Sequence, residues 1–473
     1  MITLGKLYAW LDGSKLFGNS ETIVGRIHTD TRTIQQGDLF VALNGDQFDG
    51  NSFVKEAVAK GAVAVIAQHG CDANGIHGLE VPDTKIALGQ IAANWRQQYS
   101  LPLIAVTGSN GKTTVTQMLA SILNVHAGQA SLATIGNLNN DIGVPLTLLR
   151  LNEGHKIAVV ELGMNHPGEI AYLANIAKPT VALVNNAQRE HLEFMVSVEA
   201  VAHENGSVIS ALSNDGVAVF PADDDYCELW KTLADNRKSL TFALASEPNK
   251  VADVYCSKVD WGNGQWHVVA ETPLGEISYC LSIAGRHNVK NSLAAIACAI
   301  AAKVSPKDIV QGLQAFRPVK GRSFTQQLNC YGRDILLIDD TYNSNPDSMK
   351  VAIDSLAEMQ APRLIVMGDM GEVGEQGLAF HAEAGEYAQA KKIERLFTFG
   401  ELSAEAAKHF KGAEHFNSIE ALNEAVAIEL RSVSSILVKG SRFMKMERAS
   451  NHIVAFDMQE DKNKKNKENT HVA

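Results

Sequence analysis

AVTGSNGKTT (residues 105–114) joins an apolar strand to a helix through a glycine-rich turn. The strand lies in LPLIAVTG (101–108), and the helix KTTVTQMLASILNVHAG (112–128) carries apolar residues at helical spacing up to its last glycine. Glycines let the backbone approach an anion closely, and the start of the helix offers N–H groups and the positive end of a dipole. The segment therefore predicts a phosphate-binding loop.

The side chains of this loop suit a nucleotide triphosphate. Lys112 would neutralise the β- and γ-phosphates, and the Thr113 hydroxyl would ligate magnesium. Val106 takes the place of the first glycine of the strict G-x-x-x-x-G-K-[ST] pattern, and a plain strand–turn–helix corner is the alternative. We expect nucleotide contacts from Gly108, Ser109, Asn110, Gly111, Lys112, Thr113 and Thr114.

The pattern along the chain predicts an α/β fold. Apolar runs at 157–163 and 180–186 alternate with helical segments, which is typical of a doubly wound parallel sheet. Short alternating strands follow at 238–284, where we expect an antiparallel annex to the P-loop ATPase-like sheet. Four more apolar strands, at 334–340, 363–369, 395–400 and 435–440, predict a C-terminal Rossmann-like domain.

A length of 473 residues suggests about three domains. The boundaries are predicted near residue 84 and, where Pro318 and Gly321 interrupt the pattern, near residue 316. The tail has almost no apolar residues and should be disordered. The predicted domains and tail are 1–83, 84–315, 316–456 and 457–473.

Composition excludes several functional classes. A net charge of −11 argues against a general nucleic-acid binder. The six cysteines are scattered without a CxxC pair, so they indicate neither a zinc site nor a disulfide framework and suit a reducing compartment. The N-terminus lacks a secretion signal, and no apolar run is long enough for a membrane span. We expect a cytoplasmic protein that binds no nucleic acid and no membrane.

Two further side chains follow apolar strands of the central sheet. Glu161 ends the strand IAVVELG, a position where doubly wound sheets place ligand-binding groups, so its carboxylate could complete a magnesium shell. His191 follows the next strand in NNAQREHLEF (185–194). The alternatives are a solvated loop acid for Glu161 and a packed or exposed imidazole for His191.

The chain resembles the Mur ligases almost end to end, to about residue 456. The segments NNDIGVPLTLL (139–149) and DDTYNSNP (339–346) are the most discriminating, and the DNPR motif of the diaminopimelate-adding members is absent. The matching segments are TDTRTIQQGDLFVALNGDQFDG (29–50), AVTGSNGKTT (105–114), GNLNNDIGVPLTLL (136–149), VVELGMN (159–165), LVNN (183–186), HLEF (191–194), GRHNVKNSLAA (285–295), GR (321–322), DDTYNSNPDSM (339–349) and VMGDMGEVG (366–374).

The resemblance implies an ATP- and magnesium-dependent amide ligase. Its substrates would be UDP-N-acetylmuramoyl-tripeptide, whose carboxylate attacks the γ-phosphate of ATP, and D-alanyl-D-alanine, whose amine attacks the resulting acyl phosphate. The first predicted domain would bind the UDP end, the second ATP, and the third would close over ATP and bind the amine. We expect a monomer. The diamino acid of the tripeptide stays open.

Site residues are carried over from the family's motifs position by position. Lys112, His191 and Arg322 are the implied catalytic residues. Thr113 and Glu161 would hold one magnesium ion and His191 the other. The remaining implied contacts are Asn288 and Asn291 to adenine, Asp340 to ribose, Asn345 in a matched nucleotide-site motif, and Thr31 and Arg32 to the uridine diphosphate.

The segment after His191 departs from the family. Mur ligases often carry there a lysine that becomes carbamylated and bridges the magnesium ions, whereas this chain has Asn205. We expect water or Glu204 to replace the lysine, or the second ion to bind more weakly. The residues QRE (188–190) also differ from the small residues expected before the histidine.

Two C-terminal loops are weaker candidates. KGSR (439–442) could contact an anion, and Asp369 and Glu372 could bind the ammonium of the dipeptide, although solvated loops are the alternative. Two other functions compete with the first: another Mur-type ligase, either diaminopimelate-adding or folylpolyglutamate-like, and a nucleotide-binding protein without ligase activity. The UDP-binding segment argues against the folate type, and Lys112, Glu161 and Arg322 argue against an inactive protein.

Overall fold

Three large sheets with flanking helices build the protein, as the computed structural model shows for residues 2–45, 48–245, 251–262 and 264–456. The predicted α/β class, with a central sheet and a C-terminal Rossmann-like domain, is confirmed. The tail predicted to be disordered, 457–473, lies outside the described residues. Within the described ranges, none of the helices combines the length and apolarity that crossing a bilayer requires.

The first sheet has five strands in the order β2-β9-β8-β5-β4, with only β2 antiparallel to its neighbour. Two short antiparallel pairs, β1 with β3 and β6 with β7, accompany it. The strands are β1 (Ile2–Thr3), β2 (Lys15–Phe17), β3 (Ile23–Val24), β4 (Arg26–His28), β5 (Asp38–Val41), β6 (Asn44–Gly45), β7 (Phe48–Asp49), β8 (Ala64–Ala67) and β9 (Gly78–Glu80). The helices are α1 (Leu4–Tyr8), α2 (Val54–Ala59) and α3 (Cys71–Asn74).

Helix α4 (Thr84–Arg96) connects the first sheet to the central one. The Asp83 carboxylate caps its start by accepting from the N–H groups of the second and third helical residues. Leu88 and Ile91 pack into the core of the first sheet, whereas Ala92 packs into the central core. One helix therefore contributes to both cores and ties the two sheets together.

The central sheet has nine strands in the order β11-β12-β10-β13-β14-β15-β16-β17-β18. The strands are β10 (Leu103–Thr107), β11 (Ser131–Ala133), β12 (Ile157–Glu161), β13 (Val181–Val184), β14 (Val217–Pro221), β15 (Lys238–Ala243), β16 (Val254–Gly262), β17 (Gln265–Glu271) and β18 (Ile277–Leu281). The helices are α5 (Lys112–Ala127), α6 (Gly143–Leu148), α7 (Glu169–Ala177), α8 (Leu192–Met195), α9 (Val198–Ser210), α10 (Cys227–Ala234), α11 (Arg286–Ala301) and α12 (Pro306–Ala315).

The antiparallel annex is smaller than its sequence pattern suggests. Strand β15, expected within the annex, pairs in parallel with both β14 and β16, so it extends the parallel sheet. Only β16, β17 and β18 pair antiparallel. The reason is that helix α10 connects β14 to β15 as a crossover, which the strand pattern alone does not reveal.

Helices cover both faces of the central sheet. Leu119 of α5, Leu293 of α11 and Leu313 of α12 share the core on one face. Leu173 of α7 and Trp230 of α10 pack on the other face. Because β10 lies between β12 and β13, its carboxyl end opens into the crevice that these layers leave, where doubly wound folds bind ligands.

The C-terminal sheet has six strands in the order β19-β20-β24-β21-β22-β23, and only β19 is antiparallel to its neighbour. The strands are β19 (Phe324–Cys330), β20 (Arg333–Asp340), β21 (Arg363–Gly368), β22 (Arg395–Phe399), β23 (Glu414–Phe416) and β24 (Ser435–Lys439). The helices are α13 (Pro346–Ala357), α14 (Gly377–Ala390), α15 (Ser403–Lys408), α16 (Ile419–Glu429) and a last helix over 447–456.

Candidate functional site

A cavity of about 1690 Å³ lies between the central and C-terminal sheets. Most side chains that the sequence predicts for the site meet there, although they come from segments far apart in the chain. The predicted residues that line the cavity are Ser109, Asn110, Gly111, Lys112, Thr113, Thr114, Glu161, His191, Asn288, Asn291, Arg322, Asp340 and Asn345.

The phosphate-binding loop has the backbone geometry that the sequence predicts. Gly108 and Gly111 adopt positive φ values of 130° and 83°. A Cβ atom on Gly111 would lie 2.5 Å from Oδ1 of Asn291, and the positive φ adds strain for any other residue, so the position favours glycine. Helix α5 begins directly after Gly111, and its first residues, whose N–H groups have no partner within the helix, line the cavity. The loop can therefore bind an anion through its backbone.

Lys112 folds back over the loop. Its Nζ donates to the carbonyl of Ser109 at 3.0 Å and to the carbonyl of Gly108, and it lies 3.3 Å from Oε2 of Glu190. The ammonium therefore has a carboxylate partner on the neighbouring loop. A triphosphate bound by this loop would have to replace the Glu190 carboxylate as the partner of the Lys112 ammonium.

Glu161 has the properties of a ligand for a hard cation. It is buried, and its Oε1 accepts from the Thr113 hydroxyl at 3.0 Å and from Nδ2 of Asn139 at 2.8 Å. Its Oε2 has no hydrogen-bond partner among the described residues. An unpaired buried carboxylate oxygen is costly, and magnesium prefers such oxygens together with hydroxyls. Thr113 and Glu161 therefore fit a magnesium ion.

His191 is held by the C-terminal domain. Its backbone is left-handed, with φ of 49°, and its Nδ1 lies 2.5 Å from Oε2 of Glu372. The imidazole of His191, in contact with this carboxylate, lowers the pKa of Glu372. Glu372 thus pairs with a histidine. Asp369, the other acid proposed for the dipeptide's ammonium, accepts from the N–H groups of Leu402 and Ser403 and holds a turn.

Asp340 forms an ion pair that the sequence analysis missed. Its Oδ2 accepts from Nζ of Lys439 at 2.6 Å, and its Oδ1 accepts from the N–H of Ser323 at 2.9 Å. Burial alone would raise the pKa of Asp340, but the ammonium of Lys439 outweighs it and the pKa is lowered. Lys439 is only 3% exposed, so this residue of KGSR neutralises Asp340. A lysine at the end of the buried strand SILVK was the available signal.

Asparagine side chains tie the loop to its surroundings. Asn185, also missed, donates to Oδ1 of Asn291 at 3.0 Å and to the carbonyl of Asn110 at 2.8 Å. Asn291 in turn donates to Asn288, which caps the carbonyl of Ala284. These bonds fix the position of α11 relative to the phosphate-binding loop.

The C-terminal domain reaches the loop directly. Asn345 caps helix α13 and donates through Nδ2 to Oδ1 of Asn110 at 3.1 Å. Arg189 forms ion pairs with Asp347 and Glu383, at 2.5 and 2.9 Å. These contacts hold the two domains around the cavity.

Arg322 forms part of the cavity wall on the C-terminal side. Its guanidinium lies 3.9 Å from the centroid of the Tyr342 ring, a cation–π contact that orients it. Thr31 and Arg32 lie elsewhere, in the 3₁₀ turn Thr31–Thr33 beside the first sheet, outside the described lining of the cavity. Arg32 is 84% exposed and pairs with Asp30.

Glu204 is not available to a metal. The expectation that Glu204 replaces the missing lysine is therefore wrong. Its two oxygens accept from the N–H groups of Gly168 and Ile170, both at 2.8 Å, and cap helix α7. Asn205 is buried, and its Oδ1 accepts from the Thr107 hydroxyl at 2.6 Å. Position 205 therefore supports the sheet.

The fold and the cavity define a P-loop nucleotide-dependent enzyme whose site is completed by a second, Rossmann-like domain. Three family profiles match the chain: "Mur ligase family, catalytic domain" at 24–96, "Mur ligase middle domain" at 106–299 and "Mur ligase, glutamate ligase domain" at 325–442. The chain belongs to the Mur ligase family.

Several relatives and solved structures that match nearly the whole chain carry the name of one member of that family. The UDP-N-acetylmuramoyl-tripeptide–D-alanyl-D-alanine ligases of Haemophilus influenzae and Escherichia coli are each 38% identical to this chain, covering 92% and 94% of it and 94% and 97% of their own lengths. A crystal structure of MurF from Acinetobacter baumannii is 34% identical, with a TM-score of 0.87, over 95% of this chain and 98% of that one. MurF ligase from Thermotoga maritima in complex with ADP is 25% identical, with a TM-score of 0.81, over 94% of this chain and 100% of that one.

Proposed function

We infer that this protein is an ATP-dependent ligase that adds D-alanyl-D-alanine to UDP-N-acetylmuramoyl-tripeptide in peptidoglycan synthesis. The observation that carries the chemistry is the pairing of Thr113 with a buried Glu161 oxygen at the start of α5, on the wall of a cavity shared by two domains. The relatives at 38% identity, matched over nearly their whole length, support the choice of substrates.

The reaction joins a carboxylate to an amine in two balanced steps. The tripeptide carboxylate attacks the γ-phosphate, the bond to ADP breaks, and an acyl phosphate forms. The dipeptide amine then attacks the acyl carbon, phosphate leaves with the bonding pair, and the amine loses a proton as the amide forms. Both anionic partners must approach each other in the first step, so the site has to supply positive charge.

The chain's own residues would supply part of that charge. We propose that Lys112 and the N–H groups at the start of α5 bind the phosphates, while Arg322 meets the carboxylate from the opposite wall. Thr113 and Glu161 would hold magnesium, which when bound lowers the repulsion between carboxylate and triphosphate. Asp340, oriented by Lys439, would bind the ribose, and Asn288 and Asn291, which line the cavity, would contact the adenine.

The domains would divide the substrates among them. In this proposal residues 1–83 bind the uridine diphosphate through Thr31 and Arg32, 84–315 bind ATP, and 316–456 close over ATP and bind the amine. The exposed Arg32 guanidinium suits contact with a diphosphate. We further propose that the enzyme acts as a monomer in the cytoplasm, where ATP is made.

A phosphate-release assay with a panel of amines tests the proposed function. With UDP-N-acetylmuramoyl-tripeptide and ATP, D-alanyl-D-alanine is expected to stimulate phosphate release, whereas meso-diaminopimelate and glutamate are not. Stimulation by diaminopimelate with the UDP-dipeptide would assign the enzyme to the preceding ligation. Phosphate release at the same rate with and without every amine would indicate a nucleotide-binding protein without ligase activity.

Bicarbonate is expected to have no effect on activity. A carbamylated lysine forms from carbon dioxide, and the residue at the matching position is Asn205, buried against Thr107. The sequence between His191 and Lys231 contains no lysine. Initial rates should therefore be equal in bicarbonate-depleted and bicarbonate-restored buffer at fixed pH and magnesium. A reversible loss on depletion would mean that a lysine elsewhere is modified.

A further inference from the structure

Glu190 is a buried acid that the mechanism above does not use. It is 6% exposed, lines the cavity, and follows Arg189 in the segment that departs from the family pattern. Its Oε2 lies 3.3 Å from Nζ of Lys112, whereas its Oε1 has no hydrogen-bond partner in the described part of the chain. A buried carboxylate with one unpaired oxygen is costly unless a cation or donor completes it.

The neighbouring residue, His191, places a second potential metal ligand beside Glu190. Nε2 of His191 lies 3.8 Å from Oε2 of Glu190, and Nδ1 faces Glu372 on the opposite side of the ring. A carboxylate this close to Nδ1 favours a proton on that nitrogen, which leaves the lone pair of Nε2 for a metal, as in other metal-binding histidines. Nε2 of His191 and the Glu190 carboxylate thus lie close enough for one cation to contact both side chains.

Other carboxylates near this position are already engaged. Both oxygens of Glu204 cap helix α7. Glu161 accepts from the Thr113 hydroxyl and belongs to the first proposed magnesium site. In the ranges that the structure describes, no group of three or more His, Cys, Asp or Glu residues could enclose a metal. One carboxylate is nevertheless a sufficient protein anchor for magnesium, which keeps several waters and takes further oxygens from phosphates.

We propose that Glu190 and His191 hold the second divalent cation of the site, with Glu372 positioning the histidine. This inference rests on the proposed function, because the triphosphate draws Lys112 away from Glu190 and leaves its carboxylate for the cation. The negative charge that Asn205 does not provide then comes from position 190. Glu190 exchanges one cationic partner for another when nucleotide binds.

Binding of manganese, measured by electron paramagnetic resonance with a non-hydrolysable ATP analogue, tests this proposal without turnover. The wild-type chain is expected to bind two Mn²⁺ ions. In Glu190→Gln the weaker ion should be lost or its Kd raised by at least about tenfold, while the ion at Thr113 and Glu161 is retained. Glu190→Asp should recover part of the loss because it keeps the charge.

Glu199→Gln is the matched control. It removes the same charge from an exposed position on α9, outside the described cavity lining, and should bind both ions as the wild type does. Circular dichroism establishes that each variant is folded. Two ions of unchanged affinity in folded Glu190→Gln, with only the nucleotide affinity altered, would overturn the proposal and leave Glu190 as a partner of Lys112 alone. Amine-dependent phosphate release by the wild type would still support the proposed ligase function in that case.

Discussion

Lys112→Ala is expected to lower kcat by on the order of 10³-fold, because the lysine meets charge that shifts from the γ-phosphate to ADP in the first step. Among the described residues the ammonium bonds only to loop carbonyls and Glu190, so its removal should not disturb the core beneath α5. The loss should appear in kcat more than in KM, since the interaction strengthens in the transition state. Steady-state kinetics with saturating magnesium and both substrates measure it.

Lys231→Ala is the control for this substitution. Lys231 lies half-exposed on α10, pairs with Glu228, and stands outside the described lining of the cavity. It should retain full activity. Turnover near the wild-type value in folded Lys112→Ala would show that the loop does not bind the transferred phosphate.

Glu161→Gln is expected to reduce kcat/KM by roughly 10²-fold and to raise the magnesium concentration that gives half-maximal activity. A glutamine can still accept from Thr113 and Asn139, so the fold should be preserved, but it lacks the charge of the unpaired Oε2. Activity measured across a magnesium titration separates a loss of metal affinity from a general loss of activity.

Glu153→Gln makes the same change at an exposed loop position beyond the described cavity lining. Its magnesium dependence should match that of the wild type. If Glu161→Gln also matched the wild type, the oxygen of Glu161 would have a structural role and the proposed magnesium site would lie elsewhere.

Local signals in the sequence were sufficient for the loop and the strands around it. Gly108, Gly111 and Lys112 are close together in the chain. A glycine-rich turn between an apolar strand and a helix is typical of a phosphate-binding loop. Helix α5 ends at Ala127 with Gly128 as its C-cap, which agrees with the glycine stop that the sequence predicts. The parallel pairing of β15 was missed because it depends on a crossover, which the alternation within a strand does not encode.

Long-range ion pairs could not be read from the sequence. Asp340 and Lys439 are 99 residues apart, and His191 and Glu372 belong to different domains, so only the folded chain brings each pair together. The same holds for Glu204, whose position on the helix does not reveal that its oxygens cap α7. Motif spacing therefore located the phosphate-binding loop, while the partners that set the charge of each site residue needed the structure.

Mass spectrometry of the products after complete reaction tests the ligase assignment most directly. With ATP, magnesium, UDP-N-acetylmuramoyl-tripeptide and D-alanyl-D-alanine, we expect UDP-N-acetylmuramoyl-pentapeptide to form in equal amount to ADP and phosphate. The product should be absent when any one substrate is omitted. Formation of ADP and phosphate without the pentapeptide, in the presence of all substrates, would contradict the account.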